Sequence, residues 1–233
     1  MVVVRKWGED YINKSLRQID SNSWLIGSLV LHRSPCSSDE ATWNDDGDYS
    51  SYTLTEAPTP LPITTSPNSP YITLVHEAGD ASAVWSIRDS AICKVRYIKE
   101  GITPESITLD FVQNQQPSFV TPKVIHHAFD NNQSYLFLRK LPGQTLDVAW
   151  PTLDIQNIIV EDEPTTGEIR IIDFKIAGYL PRGWIRTKFR LSTGMNLSAS
   201  ASNHPTWWRA EVQKALGAHR FEDYTDALMQ WRG

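Results

Sequence analysis

Ala91-Ile92-Cys93-Lys94-Val95-Arg96-Tyr97-Ile98 is the stretch whose reading decides the fold. Its β-branched and aromatic residues read as a strand. A lysine inside such a strand needs a partner, or a path for its head to solvent. Glu105, opening the next element, is the candidate partner. There Thr103 can cap a helix, Pro104 suits the first helical position, and Glu105 favours the positive helix start. Ile107 and Phe111, with Leu109 and Val112, are expected to form its buried side. The plainer reading of Lys94 and Glu105 is an edge-strand lysine and a helix-start glutamate.

Working outward, Ile72–His76 and Ala83–Ile87 read as strands before this stretch, and Lys123–Phe129 and Tyr135–Leu141 as strands after the helix. The order is three strands, a helix, then two strands, which predicts an α+β domain. The turn Gly79-Asp80-Ala81-Ser82 has small residues whose backbone N–H groups could approach a phosphate. It holds one glycine, and a simple hairpin turn is the alternative. His126 and His127 are adjacent on a strand, so they point to opposite faces and do not share a metal.

A second constellation lies downstream. Asn157-Ile158-Ile159-Val160 and Ile169-Arg170-Ile171-Ile172-Asp173-Phe174 read as two short strands joined by an acidic turn. A hairpin places Asn157 and Asp173 side by side as oxygen ligands for magnesium, which takes one or two such groups and keeps its waters. Both residues also suit turns.

The composition sets bounds. A chain of 233 residues can bury a sizeable core. A net charge of −5 argues against a general nucleic-acid binder. Cys36 and Cys93 are too few for a disulfide framework, and Cys93 reads as a buried thiol. Charge follows a very short apolar run in Met1-Val2-Val3-Val4-Arg5-Lys6, the wrong order for a secretory signal. No apolar run approaches the ~20 residues that span a bilayer. The expectation is a cytoplasmic protein with no membrane partner.

Residues 9–19 carry a weak helical pattern through Ile12, Leu16 and Ile19, and Trp24–Leu31 is a short apolar segment. From Ser34 to Pro70, Ser, Thr, Asp and Pro dominate, with five prolines from Pro58 onward. That composition predicts an extended or poorly ordered segment. At the C-terminus, His204 to about Leu216 and Phe221–Trp231 read as helices, with Trp207 and Trp208 as core or interface anchors.

Taken in order, these runs resemble the aminoglycoside phosphotransferase-like family of the protein-kinase-like superfamily. The matching runs are Glu77–Ile87, Cys93-Lys94-Val95, Glu105–Val112, Leu136–Leu146, Asn157–Val160, Ile171–Phe174 and Ala177–Leu180 with Pro181. The resemblance implies a two-lobed protein-kinase-like α+β fold, with an antiparallel-sheet N-lobe and a partly helical C-lobe. It implies ATP-dependent phosphorylation of a small-molecule hydroxyl, with ATP and Mg2+ as cofactors. By this resemblance Lys94 binds the nucleotide phosphates, Glu105 orients it, and Ser82 lies in the phosphate turn. Leu138, Arg139 and Leu141 belong to a hinge that holds adenine through backbone groups, and Asn157 and Asp173 bind the metal.

The departure from the family is upstream of Asn157. The family has a helical segment there and a catalytic loop of the form His-x-Asp-x-x-x-x-Asn. Here Asn157 follows Leu141 by sixteen positions, and the nearest upstream carboxylate, Asp154, precedes Asn157 by three. Thr152 stands where the loop histidine would be. Asp154 is either a displaced base or the remnant of another helix. The chain is therefore expected to have a truncated C-lobe and impaired transfer, the alternative being a non-catalytic nucleotide-binding or interaction module. The division that follows is an extension over 1–33, a Ser/Thr/Pro-rich linker over 34–70, an N-lobe with hinge over 71–142 and a truncated C-lobe over 143–233.

Overall fold

Apolar side chains at alternate strand positions build the first unit as two antiparallel sheets packed on one another. The computed structural model describes residues 12–79, 81–130, 132–145, 148, 157–163, 165–174, 183–193, 196 and 206–232. The chain divides into two compact units: residues up to Gln116 with Thr121–Leu141, and Pro117–Val120 with Pro142 onward. The class is α+β, with antiparallel sheets and few helices.

In the first unit, β1 (Leu16–Asp20), β2 (Ser23–Ile26), β3 (Leu29–Ser34), β4 (Trp43–Asp45) and β5 (Ser50–Glu56) form a sheet ordered β1-β2-β3-β5-β4. The second sheet contains β6 (Ile72–Ala78), β7 (Ser82–Ile87), β8 (Ala91–Tyr97), β9 (Val124–Asp130) and β10 (Gln133–Arg139), ordered β6-β7-β8-β10-β9. Helix α1 (Glu105–Asn114) connects β8 to β9. Three strands, a helix and two strands thus follow in the predicted order.

One core joins the two sheets. Trp24, Ile26, Leu31, Trp43 and Tyr52 from the first meet Trp85, Ile87, Cys93, Val95, Tyr135 and Phe137 from the second. Each such buried side chain contributes about 1.5–3 kcal/mol of hydrophobic stabilisation. Burial also pushes the Cys93 thiol pKa up, making it an inert core group.

Several sequence expectations are corrected here. Segment 34–70 carries β4 and β5, because Trp43 and Tyr52 stack 5.1 Å apart and give a polar stretch something to bury. The helical spacing in 9–19 belongs to a 3-10 turn, Ile12–Lys14, followed by β1. Ile12 and Leu16 are both fully buried, but they reach the core from different elements. Trp24–Leu31 is a tight hairpin in which Ile26 pairs with Leu29. Gly27 turns it at φ 59°, and a Cβ there would meet the Tyr135 ring at 2.5 Å.

The second unit has a small sheet of β11 (Gln144–Thr145), β12 (Ile158–Val160) and β13 (Arg170–Ile171), ordered β11-β12-β13. Gly143 at φ 101° lets β11 approach closely, since a Cβ would meet the Val160 carbonyl at 2.2 Å. Val120 joins as a bridge, its N–H donating to the Ile169 carbonyl and its own carbonyl accepting from Ile171. Helices α2 (Trp184–Leu191), α3 (Trp207–Ala218) and α4 (Thr225–Arg232) complete the described residues. The sequence pattern missed α2, and Trp207 is 60% exposed instead of a core anchor.

Polar ties hold these helices. The Arg209 guanidinium donates to the Phe189 and Arg190 carbonyls at the end of α2 and to Asn196. Thr187 accepts from the Tyr224 N–H, and Asp223 accepts from Arg190, Gln213 and Thr225. None of the described helices is long and apolar enough to cross a membrane.

Candidate functional site

Lys94 lies in the middle of β8, and strand register places it opposite Val84 on β7 and Leu136 on β10. Cys93 and Val95, its neighbours in sequence, face the shared core. Lys94 therefore faces the other side, where α1 packs. One row on this face is Val84, Lys94 and Leu136, and the next is Ser86, Ile92 and Leu138.

Lys94 Nζ donates to Glu105 Oε1 at 2.7 Å. The Glu105 side chain is 3% exposed, while that of Lys94 is 20% exposed. The carboxylate is buried in the fold and holds an ammonium that keeps a path to solvent. Such an arrangement orients a cation without sealing it off.

Helix α1 buries only part of the side that its apolar pattern suggested, at Leu109. Ile107 and Phe111 are 55% and 41% exposed, whereas Glu105, Ser106 and Leu109 are buried. The polar pairs decide this. Besides Lys94–Glu105, Ser106 Oγ lies 2.7 Å from His127 Nδ1, and His127 Nε2 lies 2.7 Å from Ser134 Oγ. His127 thus ties α1 to β9 and β10, and its pKa is lowered by burial, then by Arg96 and His126. The neighbouring His126 ring sits 6.3 Å from Phe137, so the two histidines divide between faces as expected. Thr103 is not the cap; Pro104 occupies that position, with no side-chain cap bond.

The other expected residues of this unit fall as follows. Ser82 opens β7 after the Gly79 turn and pairs with Arg96, which shares the face of Lys94. Arg96 was missed by sequence reasoning, although its i+2 spacing from Lys94 on a strand is a signal for a shared face. Leu138 is buried at the end of β10, opposite Ile92. The Arg139 N–H donates to the Lys123 carbonyl and the Lys140 N–H to the Ser90 carbonyl. Leu141 follows, half-buried.

In the second unit, Ile158 pairs with Ile171, and the Ile172 N–H donates to the Asn157 carbonyl at 3.0 Å. Asn157 and Asp173 thus stand at the same end of one hairpin. Asn157 is exposed and Asp173 half-buried. Asp173 has φ 66°, a left-handed conformation that non-glycine residues adopt sparingly and that often marks functional positions. One amide oxygen and one carboxylate fit a magnesium ion whose remaining ligands are phosphate and water. No group of three His, Cys, Asp or Glu that could cage a metal occurs among the described residues. Asp154 and Thr152 lie outside the described residues.

No known protein family matches the chain, and no curated protein matches it. Solved structures that resemble it include monomeric WbdD, at 15% identity and a TM-score of 0.36, over 69% of this chain and 50% of that one. WbdD with a bound kinase inhibitor shows 17% identity and a TM-score of 0.34, over 56% of this chain and 41% of that one. A structure of the bifunctional kinase-methyltransferase WbdD shows 18% identity and a TM-score of 0.33, over 47% of this chain and 33% of that one. This chain spans half or less of each of these structures, and at such TM-scores the likeness assigns neither fold nor function.

Proposed function

We propose that the first unit is a kinase-type nucleotide-binding lobe and that the chain binds Mg-ATP with weak or absent phosphotransfer. The observation that carries this is the 2.7 Å pair between Lys94 on the middle strand and buried Glu105 on α1. Kinases hold a lysine in this way to engage the α- and β-phosphates. Val84 and Ile92, both half-buried, supply apolar surface on the same face for a purine ring. The Arg139 and Lys140 N–H groups are used within the fold. That leaves the Leu141 N–H and the hinge carbonyls for the purine edge.

Asn157 and Asp173 would hold the magnesium ion, which neutralises phosphate charge when bound. The acceptor would be a small hydroxyl compound in an intact relative. Transfer needs a base placed on the acceptor hydroxyl, worth ~10²–10⁴-fold. Asp154, three residues before Asn157, is not at the family spacing. A non-catalytic, nucleotide-binding role is the reading that this spacing favours.

The test uses the purified 233-residue chain. Mg-ATP is expected to raise its melting temperature, and Lys94→Ala or Asp173→Ala to abolish the rise. Phosphate transfer to aminoglycoside, choline-like or sugar acceptors is expected to be undetectable. Robust transfer to any acceptor would refute the non-catalytic half, and no protection from heat would refute the nucleotide half.

A further inference from the structure

The sheet formed by β1–β5 is wired to the hinge. The Arg139 guanidinium donates from Nη1 to the Asn44 carbonyl on β4 at 2.9 Å. Next to it, the Trp43 indole N–H donates to Ser90 Oγ at 3.2 Å, in a buried bond. Ser90 in turn accepts the Lys140 N–H at its carbonyl, 3.0 Å away. The Trp43 ring also packs 6.2 Å from Phe137 on β10. Lys140 Nζ closes the other side of the β7–β8 turn, donating to Ser86 Oγ, the Arg88 carbonyl and Asp89. Two consecutive hinge residues are therefore fixed from the β4 side, one through its side chain and one through its backbone.

We propose that Trp43 and Arg139 are positioning residues that make β4 a brace for the nucleotide hinge. The inference rests on the nucleotide reading above. Its physical basis is pre-organisation. A hinge held in place presents its backbone groups to a purine without an ordering cost, and such costs otherwise subtract from affinity. Hydrogen bonds to a guanidinium rank among the stronger ones, so removing one has a measurable effect.

The test compares Mg-ATP affinity and ligand-free melting temperature in the full chain for substitutions at three positions, alone and combined. Trp43→Phe keeps the ring and removes the N–H donor. Arg139→Met keeps the apolar stem and removes the fork. Leu16→Ala deletes a fully buried side chain from β1, at the far edge of the same sheet from β4. The expected result is an affinity about tenfold weaker for the combined Trp43→Phe/Arg139→Met variant. Arg139→Lys is expected to recover part of it. Leu16→Ala should lower the melting temperature more while leaving affinity unchanged. Unchanged affinity in the combined variant, or equal loss in Leu16→Ala, would overturn the brace while leaving nucleotide binding intact. Failure of the unaltered chain to bind Mg-ATP would overturn the nucleotide reading and the brace together.

Discussion

The two units are held together by different chemistry. The first buries tryptophans, tyrosines and branched side chains from both its sheets in one core. In the second, Ile159 is the one buried apolar side chain among the described residues, and Thr187 is the buried residue of α2. Helix α3 has none. Arginine–carbonyl, amide–hydroxyl and carboxylate–hydroxyl contacts tie its helices. Hydrogen bonds of this kind contribute about 0.5–1.5 kcal/mol each, less than a buried aromatic. The contrast sets an aromatic core in the first unit against mainly polar ties among the described residues of the second.

The largest test of that contrast is truncation in the two interiors. Phe137→Ala should cost about 3–5 kcal/mol in urea unfolding, and Ile159→Ala about 2 kcal/mol. Equal costs would break the comparison. Next comes the ion pair. Lys94→Met should destabilise the first unit by about 3 kcal/mol, because it removes the ammonium that faces a buried carboxylate. Adding Glu105→Leu should restore most of that loss, and no recovery in a double-mutant cycle would mean that the pair is not the source.

Acid should separate the units further. In the second, hydrogen bonds from Thr225 and Arg190 overcome burial and hold the Asp223 carboxyl at about 2. Thr166 and nearby backbone N–H groups hold Glu161 at about 2. In the first, Asp48 is held at about 2, where bonds from Ser50 and Arg33 outweigh burial. Each contributes stability that is present above the ordinary carboxylate range and lost as pH falls toward 2. The second unit, in which Ile159 is the one buried apolar side chain among the described residues, should lose its amide-exchange protection first. Simultaneous loss would blur the distinction.

The smallest expected effect is at His127. Its pKa is lowered, so the unfolded chain takes up the proton more readily. Stability of the first unit should be full above about 6.5, the ordinary histidine value, and fall below it. His127→Asn should flatten that slope, and an unchanged slope would assign it to another group.

What was legible in the sequence follows the same division. Strands β6 to β10 showed themselves through β-branched runs, and Lys94 among apolar neighbours pointed to its partner. The face of α1 was legible at Leu109 but not at Ile107 and Phe111. Ile107 and Phe111 suggested the buried side, yet Glu105 and Ser106 turn inward because Lys94 and His127 wait there. β4 and β5 hid in a serine- and aspartate-rich stretch because two aromatics, Trp43 and Tyr52, carry their burial. In the second unit, the hairpin ends were readable from Asn157 and Asp173. The helix ties were not, since arginines that cap carbonyls look like any surface charge.

The central claim is that the first unit binds a nucleotide through the Lys94–Glu105 pair. Titration calorimetry of Mg-ATP into the full chain tests it most directly, with Lys94→Met alongside and folding checked by near-ultraviolet circular dichroism. Saturable binding to the unaltered chain, lost in folded Lys94→Met, is expected. Absence of binding, or equal binding by both, would contradict it.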